Sequence, residues 1–326
     1  MSDLVSIVIV NWNGEKWLKK CIGSLYKQEY KNFEIIVVDN NSSDKSLQLI
    51  TSYFPKVRVI KHEYNQGFAK GNTTGIKVAK GKYILLLNSD TWVKKDFLTN
   101  LISFYLSNKY DVISPLEQNY TGSRKKFTSI TIDPFGHPVW VPYREDFDNF
   151  YLTGVCLFFK KDLYIQTRGF DENFFMYCEE VDWFWRLKLL KKSFSFAPNA
   201  IIFHAGANVQ NSLRYEIFLW RNKNTLQMLL KNYSWYTLLW VLPILIVQNL
   251  GEILIFLLIL KPKISYTYIY GWFFALKSLR KIIVKRKWIQ ANRKVSDQYV
   301  LSSMYKGLGK IQHMLYFLQQ KSIITK

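Results

Sequence analysis

The sequence is poor in cysteine, and this shortage excludes two classes of small stabilised domain. The 326 residues include 3 Cys, namely Cys21, Cys156 and Cys178, which are far apart and form no CxxC pair. Neither a disulfide framework nor a zinc knuckle is therefore indicated. The N-terminus has Asp3 where a secretion signal carries basic residues, and its apolar run is only as long as a strand. We therefore expect the N-terminal part of the protein to be cytosolic.

Acidic residues are also scarce, and they are unevenly distributed. The chain has 24 Asp and Glu against 45 Lys and Arg, which gives a formal net charge of +21. From residue 261 onward Asp297 is the only acid. Such asymmetry indicates an anionic partner for the C-terminal region, either nucleic acid or an anionic membrane surface. The sequence has no nucleic-acid-binding motif, and a long apolar run precedes the basic tail, so the membrane surface is favoured.

The first ninety residues alternate between apolar, β-branched runs and stretches with helical spacing. The predicted strands are 6–12, 33–44 (a strand that runs into a turn rich in Asn and Ser), 57–62 and 83–90, and the predicted helices between them are 15–28, 46–53 and 67–81. This β-α-β-α order predicts an α/β domain with a largely parallel sheet. Ligands of such sheets bind beyond the carboxyl ends of the strands, where Asn11, Asp39 and Asp90 lie.

The chain changes character after about residue 210. A helical pattern at 213–232 precedes an apolar stretch at 235–261, which is long enough to cross a bilayer but is interrupted by Pro243 and Gly251. We interpret it as two short interfacial helices or a kinked hairpin rather than one clean span. Residues 269–290 then predict one basic amphipathic helix on a membrane surface. The alternative is a soluble helical subdomain with a solvated basic face.

Two acids at predicted strand ends are candidates for binding chemistry. Asp39 lies at the edge of its strand, where a carboxylate can accept the N–H of a pyrimidine base, whereas Asp44 is expected to cap the next helix. Asp90 follows an apolar strand after Asn88 and Ser89, and an acid in that position can hold Mg²⁺ or Mn²⁺ together with substrate phosphates. The alternative for Asp90 is a turn cap before a short helix at 93–102.

The stretch MYCEEVDWFWRL, residues 176–187, combines acids with large aromatics. If a helix begins near Glu179, then Asp182 and Arg186 are spaced as an ion pair. Val181, Phe184, Trp185 and Leu189 then form the core face, as their helical spacing requires. Glu180 belongs to neither set and is the candidate general base, while the role of Glu179 stays open. His204, at the end of another apolar strand (201–209), is either a hydrogen-bonded structural residue or a metal ligand.

Seven segments, taken in order, resemble the family 2 glycosyltransferases with the GT-A fold, and in particular their rhamnosyltransferase-like branch. The segments are SIVIVNWNG, VVDNNSSD, NQGFAKGN, LLLNSD, LTGVCLFFKK, GFDENFFMYCEEVDWFWR and FHAGA, and the resemblance covers about residues 4–232. It implies a catalytic domain over 1–232, followed by a membrane-associating helical region over 233–326.

The resemblance also implies roles for particular residues. Asp39 corresponds to the residue that contacts the base, Asp90 to the metal-binding acid, Glu180 to the catalytic base, and His204 to a histidine near the diphosphate and metal. The donor-binding set is completed by Asn11, Asn65, Gly67, Asn72, Asn88 and Ser89. The family's usual base is Asp, so Glu180 changes the reach, and Asn88 replaces the first acid of the Asp-x-Asp motif.

These assignments predict an inverting transfer, in which Glu180 deprotonates an acceptor hydroxyl and a divalent metal at Asp90 offsets charge on the leaving diphosphate. The donor would be a nucleoside-diphosphate sugar, such as dTDP-L-rhamnose, and the acceptor a polyprenyl-linked lipid or a saccharide. One alternative is an inactive membrane-bound scaffold of the same fold. A processive synthase is disfavoured because the sequence has no Q-x-x-R-W segment and no series of unbroken spans.

Overall fold

The computed structural model describes residues 3–119, 128–142, 144, 147–206 and 215–310. The end of the predicted strand 201–209 and residues 311–326 of the predicted C-terminal region lie outside the described residues. The chain divides into two compact units, each built from separate stretches. Unit 1 comprises Met1–Phe127, Leu152–Trp183 and Lys192–Ser212, and unit 2 comprises Thr128–Tyr151, Phe184–Lys191 and Leu213–Lys326. The predicted boundary after residue 232 stays a prediction.

Unit 1 contains a single large sheet flanked by helices. Its strands are β1 (Val5–Asn11), β2 (Phe33–Asp39), β3 (Arg58–Lys61), β4 (Tyr83–Leu87), β5 (Thr91–Val93), β6 (Val112–Asn119), β9 (Cys156–Lys160) and β10 (Phe194–His204). Its helices are α1 (Glu15–Tyr26), α2 (Ser46–Tyr53), α3 (Gly67–Val78), α4 (Phe97–Ser107) and α5 (Lys161–Gln166). The helix α6 (Glu179–Leu189) begins in unit 1 and ends in unit 2. The α/β class is confirmed.

The sheet is mixed, and its strand order is β3-β2-β1-β4-β9-β6-β10-β5. The first four strands are parallel, as the sequence predicts, but β9 runs antiparallel to both β4 and β6, and β5 runs antiparallel to β10. Because β6 and β10 run parallel to each other and in the direction of β4, six of the eight strands share one direction and only β9 and β5 are reversed. The prediction of a largely parallel sheet is therefore confirmed, and β3, β2, β1 and β4 form its wholly parallel half. A buried apolar strand has the same composition in either direction, so the pattern could not reveal the reversal of β9.

The parallel half brings polar residues to one edge of the sheet. The register pairs Asn11 of β1 with Asp39 of β2, and the Asn88 N–H donates to the Val155 carbonyl at 3.0 Å just beyond β4. The core beneath is formed by aliphatic side chains of these strands packed on α1 and α4. A helix was predicted at 93–102, but β5 occupies Thr91–Val93 and α4 begins only at Phe97.

Helix α6 begins at Glu179, as predicted, but it has no solvated acidic face. The predicted core residues Val181, Phe184, Trp185 and Leu189 are buried, and so are Asp182, Trp183 and Arg186. In unit 1 the Trp183 ring packs edge-on against Phe159 and Phe170, and its indole N–H donates to Thr167 Oγ1 at 2.9 Å. Helical spacing identified one buried face, whereas tertiary packing buries the others too. A surface ion pair between Asp182 and Arg186 is thus excluded.

Unit 2 is mainly helical. Its elements are β7 (Thr128–Ile132), β8 (Pro138–Pro142), α7 (Tyr215–Asn232), α8 (Trp235–Leu258), α9 (Pro262–Lys277), α10 (Leu279–Asn292) and α11 (Asp297–Ser302). The prediction of two short helices or a hairpin at 235–261 is wrong, because α8 is continuous through Pro243 and Gly251. The single basic helix predicted at 269–290 is divided between α9 and α10 at Ser278. Within the described residues, α8 is the one helix that is long and apolar enough to cross a membrane.

Candidate functional site

The ends of β1 and β2 are joined by hydrogen bonds around Asp39. The carboxylate Oδ1 accepts from Asn11 Nδ2 at 2.8 Å and from the Ser42 hydroxyl at 2.6 Å, and Oδ2 accepts the Ser42 backbone N–H at 3.0 Å. Asp39 is only 1% exposed. Its immediate role in the fold is therefore to fix Asn11 and the turn that follows β2.

Asn11 has one polar atom that the fold leaves unused. Its Nδ2 donates to Asp39 and to Ser42 Oγ at 3.0 Å, whereas its Oδ1 is buried and has no hydrogen-bond partner among the described residues. A Cβ added at Gly14 would lie 2.2 Å from this oxygen, and 3.6 Å from Ser89 Oγ. Glycine at position 14 thus keeps the space beside Asn11 Oδ1 open. A buried acceptor without a donor is rare in native folds and indicates that a ligand or water supplies one.

The segment before α3 approaches Asp39 from the other side. Asn40 Nδ2 donates to the Gly67 carbonyl at 3.0 Å, and Asn65 Oδ1 accepts the Gly67 N–H at 2.9 Å. Gly67 has φ +82, and a Cβ there would lie 2.1 Å from the Phe175 carbonyl oxygen, so only glycine fits. Asn72 is buried, and its amide donates to the Phe68 carbonyl at 3.0 Å. The donor-site prediction for Asn65, Gly67 and Asn72 stays a prediction.

Asp90 and His204 come together beyond the end of β4. His204 Nε2 lies 3.2 Å from Asp90 Oδ1, and the Ala205 N–H donates to the Asp90 carbonyl at 3.0 Å. The turn itself is closed by Thr91, whose hydroxyl donates to the Asn88 carbonyl at 2.6 Å. The Asp90 carboxylate is therefore directed at His204. The turn-cap alternative considered for Asp90 is not needed to explain the segment.

Glu117 completes this cluster, although no signal in the sequence pointed to it. It lies on β6, and its Oε1 is 2.9 Å from His204 Nδ1. Burial lowers the pKa of His204, but hydrogen bonds to Asp90 and Glu117 outweigh burial and raise it to about 9. Glu117 could not be foreseen because the residue paired with it in register is Ile202, two positions before His204.

His204 lies between two carboxylates. Metal-binding histidines commonly donate their second ring N–H to a carboxylate, as His204 does to Glu117, and the other nitrogen then faces the Asp90 carboxylate. In the part of the chain that the structure describes, no group of three or more His, Cys, Asp or Glu is arranged to hold a metal ion. The assignment of a metal to Asp90 and His204 stays a prediction.

The acids that open α6 follow an unusual backbone. Tyr177 and Cys178, two consecutive non-glycine residues, have φ of 67 and 69. Such conformations cost about 1–3 kcal/mol each and persist where surrounding structure enforces them, often at functional sites. The helix then begins at Glu179, and Glu180 Cβ lies 3.8 Å from the position of a Cβ added at Gly154. Gly154 precedes Val155, which bonds Asn88, so Glu180 lies near the end of β4.

Glu179 and Glu180 differ in environment although they are adjacent. Glu179 is 5% exposed, and its Oε2 has no hydrogen-bond partner among the described residues, while Glu180 is half-buried. Burial, and then the charge of Glu180, raise the pKa of Glu179 well above its usual range. Glu179 therefore holds its proton more strongly than an exposed glutamic acid does.

Contacts between α3 and the segment before α6 fix this region of unit 1. The Phe68 N–H donates to the Phe175 carbonyl at 2.7 Å. Lys70 and Lys77 both pair with Glu172, at 2.5 and 3.3 Å. These contacts join α3 to the segment that contains the strained residues before Glu179. A substitution in α3 is therefore expected to alter the position of that segment.

Comparison with known proteins relates the N-terminal half of the chain to a family. Residues 6–166 match the model of glycosyl transferase family 2. This part of the chain is therefore similar to glycosyltransferase family 2. Relatives of the family 2 domain include glycosyltransferase GlyG of Streptococcus pneumoniae serotype 4 (strain ATCC BAA-334 / TIGR4), which is 35% identical over 39% of this chain and 43% of GlyG. The chain spans less than half the length of the curated relatives it matches.

Another relative of the family 2 domain is the Escherichia coli UDP-Glc:alpha-D-GlcNAc-diphosphoundecaprenol beta-1,3-glucosyltransferase WfgD, 32% identical over 34% of this chain and 47% of WfgD. Among solved structures, S. aureus TarS 1-349 in complex with UDP gives a TM-score of 0.51 at 20% identity, covering 69% of this chain and 64% of that one. GalNAc-T7 with UDP, GalNAc and Mn²⁺ gives 0.58 at 15% identity, covering 72% and 49%. These likenesses establish the fold.

Proposed function

We propose that this protein is an inverting glycosyltransferase that transfers a sugar from a nucleoside-diphosphate donor to a lipid-linked or saccharide acceptor. The observation that carries the proposal is the meeting of three features near the strand ends of one sheet. They are the open Asn11 acceptor beside Asp39, the Asp90–His204–Glu117 cluster, and Glu180 beside Gly154. A base site, a diphosphate site and a carboxylate base are the parts that such a transfer requires.

The relatives support the substrate classes. The name of WfgD specifies a UDP-glucose donor and a diphosphoundecaprenol-linked acceptor. TarS of Staphylococcus aureus, 31% identical over 33% of this chain and 20% of TarS, is named as a poly(ribitol-phosphate) β-N-acetylglucosaminyltransferase. The name of WfgD supports a nucleotide-sugar donor, and the two names support a lipid-linked or polymeric acceptor. Within that class, the resemblance of the sequence to the rhamnosyltransferase-like branch makes dTDP-L-rhamnose the donor to test first.

On the nucleotide side, Asn11 and Asp39 act together. The Oδ1 atom of Asn11 is a buried acceptor in need of a donor, and the N–H of a uracil or thymine base is such a donor. Asp39 holds the Asn11 amide so that this oxygen cannot rotate away. Asn65 and Gly67 close the same edge through Asn40.

On the diphosphate side, Asp90 and His204 would hold Mg²⁺ or Mn²⁺. Such an ion, when bound, offsets the negative charge that develops on the leaving diphosphate. Glu117 retains the Nδ1 proton of His204, which leaves Nε2 to face Asp90 and the ion. Because the raised pKa of His204 reflects a proton shared with these acids, binding of the ion must release that proton.

Glu180 is the general base of the proposed transfer. Glu180 is the less buried member of the pair, and its carboxylate accepts the proton of an acceptor hydroxyl in this proposal. General-base catalysis of this kind contributes about 10²- to 10⁴-fold to the rate. The contacts of α3 with the segment before α6 hold Glu180 in place relative to the donor loop.

A donor panel tests the proposal directly. The full-length protein is incubated with Mn²⁺ and each of several dTDP- and UDP-sugars, and release of nucleoside diphosphate is measured with a polyprenyl-diphosphate saccharide as acceptor. Turnover with one donor is expected, and Asp90→Ala should weaken both donor binding and the response to Mn²⁺. Absence of turnover and of donor binding with every sugar would support the inactive scaffold instead.

Membrane association forms part of the proposal. The region 235–294 is rich in Lys and Arg, and Glu252 is its only acid, which suits the anionic cytoplasmic face of the cell membrane. An enzyme bound there would be close to a polyprenyl-linked acceptor. Binding to anionic vesicles should fall only partly in high salt, because salt screens charge and spares apolar contacts.

A further inference from the structure

Helix α8 carries an apolar stripe that is exposed along its whole length. The side chains of this outward stripe follow helical spacing from the first turn to the last: Tyr236, Leu239, Val247, Leu250, Leu254 and Leu258. Tyr236 is 84% exposed and Leu258 is 73% exposed, so the stripe is exposed at both ends of the helix. A helix of 24 residues is about 36 Å long, which makes the stripe a long, narrow apolar surface.

The opposite side of α8 is packed within unit 2 from the first turn to Asn249. Leu238, Val241, Leu245 and Asn249 are buried along it. Beyond Asn249 the side chains of α8 are half-buried or exposed, and the Phe256 ring still packs against Phe218 and Tyr268. One face thus contacts protein over much of the helix, whereas the side chains of the other face stay exposed. This two-sided pattern is typical of a helix that lies in a membrane interface, with its apolar face inserted about 5–10 Å.

Polar contacts tie both ends of α8 to charged residues of unit 2. At the start, the Thr237 hydroxyl donates to Asp297 Oδ2 at 2.5 Å. Near the end, Glu252 forms an ion pair with Lys310, and the Ser265 hydroxyl donates to the Ile253 carbonyl at 2.9 Å. If α8 crossed a bilayer, these ion-paired groups would have to enter hydrocarbon or the contacts would have to break. Either outcome is costly.

The charge of unit 2 near α8 in the chain indicates which partner covers the stripe. Exposed lysines lie directly after α8, at Lys261 and Lys263, and Lys277, Arg280 and Lys281 follow at the junction of α9 and α10. A second copy of the chain would bring an equally basic surface against this one, and the two would repel. An anionic lipid surface attracts each of these residues and also accepts the apolar side chains.

We infer that α8 lies in the plane of the membrane, with its outward stripe inserted into one leaflet, and that it does not span the bilayer. This inference rests on the membrane association proposed above and specifies its geometry. Insertion of the stripe would place both ends of α8 at the same depth. The inserted part would then be the face of a folded unit rather than a separate anchor.

Depth measurement on the full-length protein tests the geometry. Single spin labels are attached through Leu239→Cys, Val247→Cys, Leu254→Cys or Leu258→Cys in a Cys178→Ser background, since Cys21 and Cys156 are buried. The protein is bound to vesicles of phosphatidylglycerol and phosphatidylcholine, and label depth is read from its accessibility to oxygen and to a water-soluble nickel complex. Ile165→Cys, at an exposed position on α5, is the control that should stay in water.

All four labels are expected at one shallow depth, within about 10 Å of the headgroups. A profile that passes through the bilayer centre at the middle of α8 would overturn the inference and establish a span. Failure of the wild type to bind anionic vesicles would instead reject the proposed membrane association. Labels that are protected in a dimer formed without lipid would assign the stripe to a second copy.

A second experiment measures how much the outward stripe contributes to vesicle binding. The double variant Leu239→Ser, Leu254→Ser should weaken vesicle partitioning about tenfold or more, because two inserted leucines are lost. Leu106→Ser is the matched control, since Leu106 is equally exposed but lies on α4 of unit 1. Equal partitioning of the double variant and the control would show that the outward stripe does not enter the lipid.

Discussion

Asp39 and Glu179 are two buried acids of unit 1, at 1% and 5% exposure, and the fold treats them in opposite ways. The Asp39 carboxylate accepts three hydrogen bonds from Asn11 and Ser42. Glu179 has a carboxyl oxygen with no hydrogen-bond partner among the described residues, and its neighbour is another acid. Burial alone therefore does not determine what an acid does. The groups that face a buried acid decide whether it accepts hydrogen bonds from its neighbours, as Asp39 does, or holds its proton more strongly, as Glu179 does.

The contrast extends to Glu117 and Glu180. Glu117 resembles Asp39, because it is an acceptor that positions another side chain, in this case His204. Glu180 is linked to Glu179, since its charge is the second cause, after burial, that raises the pKa of Glu179. Four acids thus divide into two that position other side chains and an adjacent pair at the start of α6. Substitutions at each acid test these roles.

The largest effect is expected at Glu180. Glu180→Gln keeps the shape of the side chain and removes the proton acceptor, so turnover should fall about 10²- to 10⁴-fold while donor affinity changes little. Turnover is measured with saturating donor and acceptor, and donor binding by calorimetry. Glu179→Gln is the matched control and should stay active, because the amide resembles the neutral acid. A dead Glu179→Gln beside an active Glu180→Gln would reverse the two assignments.

Glu117→Ala should have the next largest effect. Loss of the acceptor for the His204 Nδ1 proton is expected to weaken Mn²⁺ binding about 10- to 100-fold, as for other residues that orient metal ligands. Free Mn²⁺ is measured by electron paramagnetic resonance, without donor or acceptor. Glu117→Gln retains an acceptor oxygen and should recover most of the affinity. If Glu117→Ala binds Mn²⁺ as tightly as the exposed control Glu29→Ala, Glu117 has no positioning role.

Asp39→Asn tests the first acid of the comparison. One carboxylate oxygen of Asp39 would become an amide N–H₂ that faces hydrogen-bond donors, so Asn11 should be held less firmly. The affinity for the nucleotide-sugar donor should therefore weaken about tenfold. The maximal rate should change much less, because the contact is remote from the bond that reacts. Binding and turnover are compared with those of Asp162→Asn, an exposed control on α5. A selective loss of maximal rate would contradict a base-side role.

The smallest effect concerns stability and pH. The native pKa of Glu179 is raised above its unfolded value of about 4.3, so the native state binds this proton more tightly. Stability must therefore fall as pH rises from about 4.5 toward the native pKa. Glu179→Gln lacks this titration, and its Tm should exceed that of the wild type by a few degrees at pH 8 but not at pH 4.5. A Tm difference that is constant with pH would contradict the neutral state of Glu179.

Local signals in the sequence were sufficient for the parallel half of the fold. Apolar β-branched runs and the intervening helical patterns predicted β1 to β4 and α1 to α3 within a few residues. The reason is that strands buried on both faces have a continuous apolar sequence, and helices buried on one face have apolar residues at helical spacing. The candidate residues at strand ends followed from the same patterns, since parallel strands end at one edge. Asn11 and Asp39 are paired there, as that reasoning requires.

Long-range pairing decided the remainder, and composition does not record it. The direction of β9, the burial of Asp182 and Arg186 around α6, and the contact of Glu117 with His204 each depend on elements far apart in the chain. The continuity of α8 also escaped prediction, because Pro243 lies on its exposed side, where neighbouring protein does not restrict the helix.

Residue types and their order were enough for the α/β class, the succession of motifs and the polar residues at the strand ends. Only the folded chain shows that Glu179 is buried beside Glu180, that Asn11 Oδ1 has no hydrogen-bond partner among the described residues, and that one side of α8 is packed while the other is exposed. The physical reason is the same in each case. Residue type and spacing set which chemistry is possible, whereas solvent exclusion and the partners of each polar group depend on which distant segments meet.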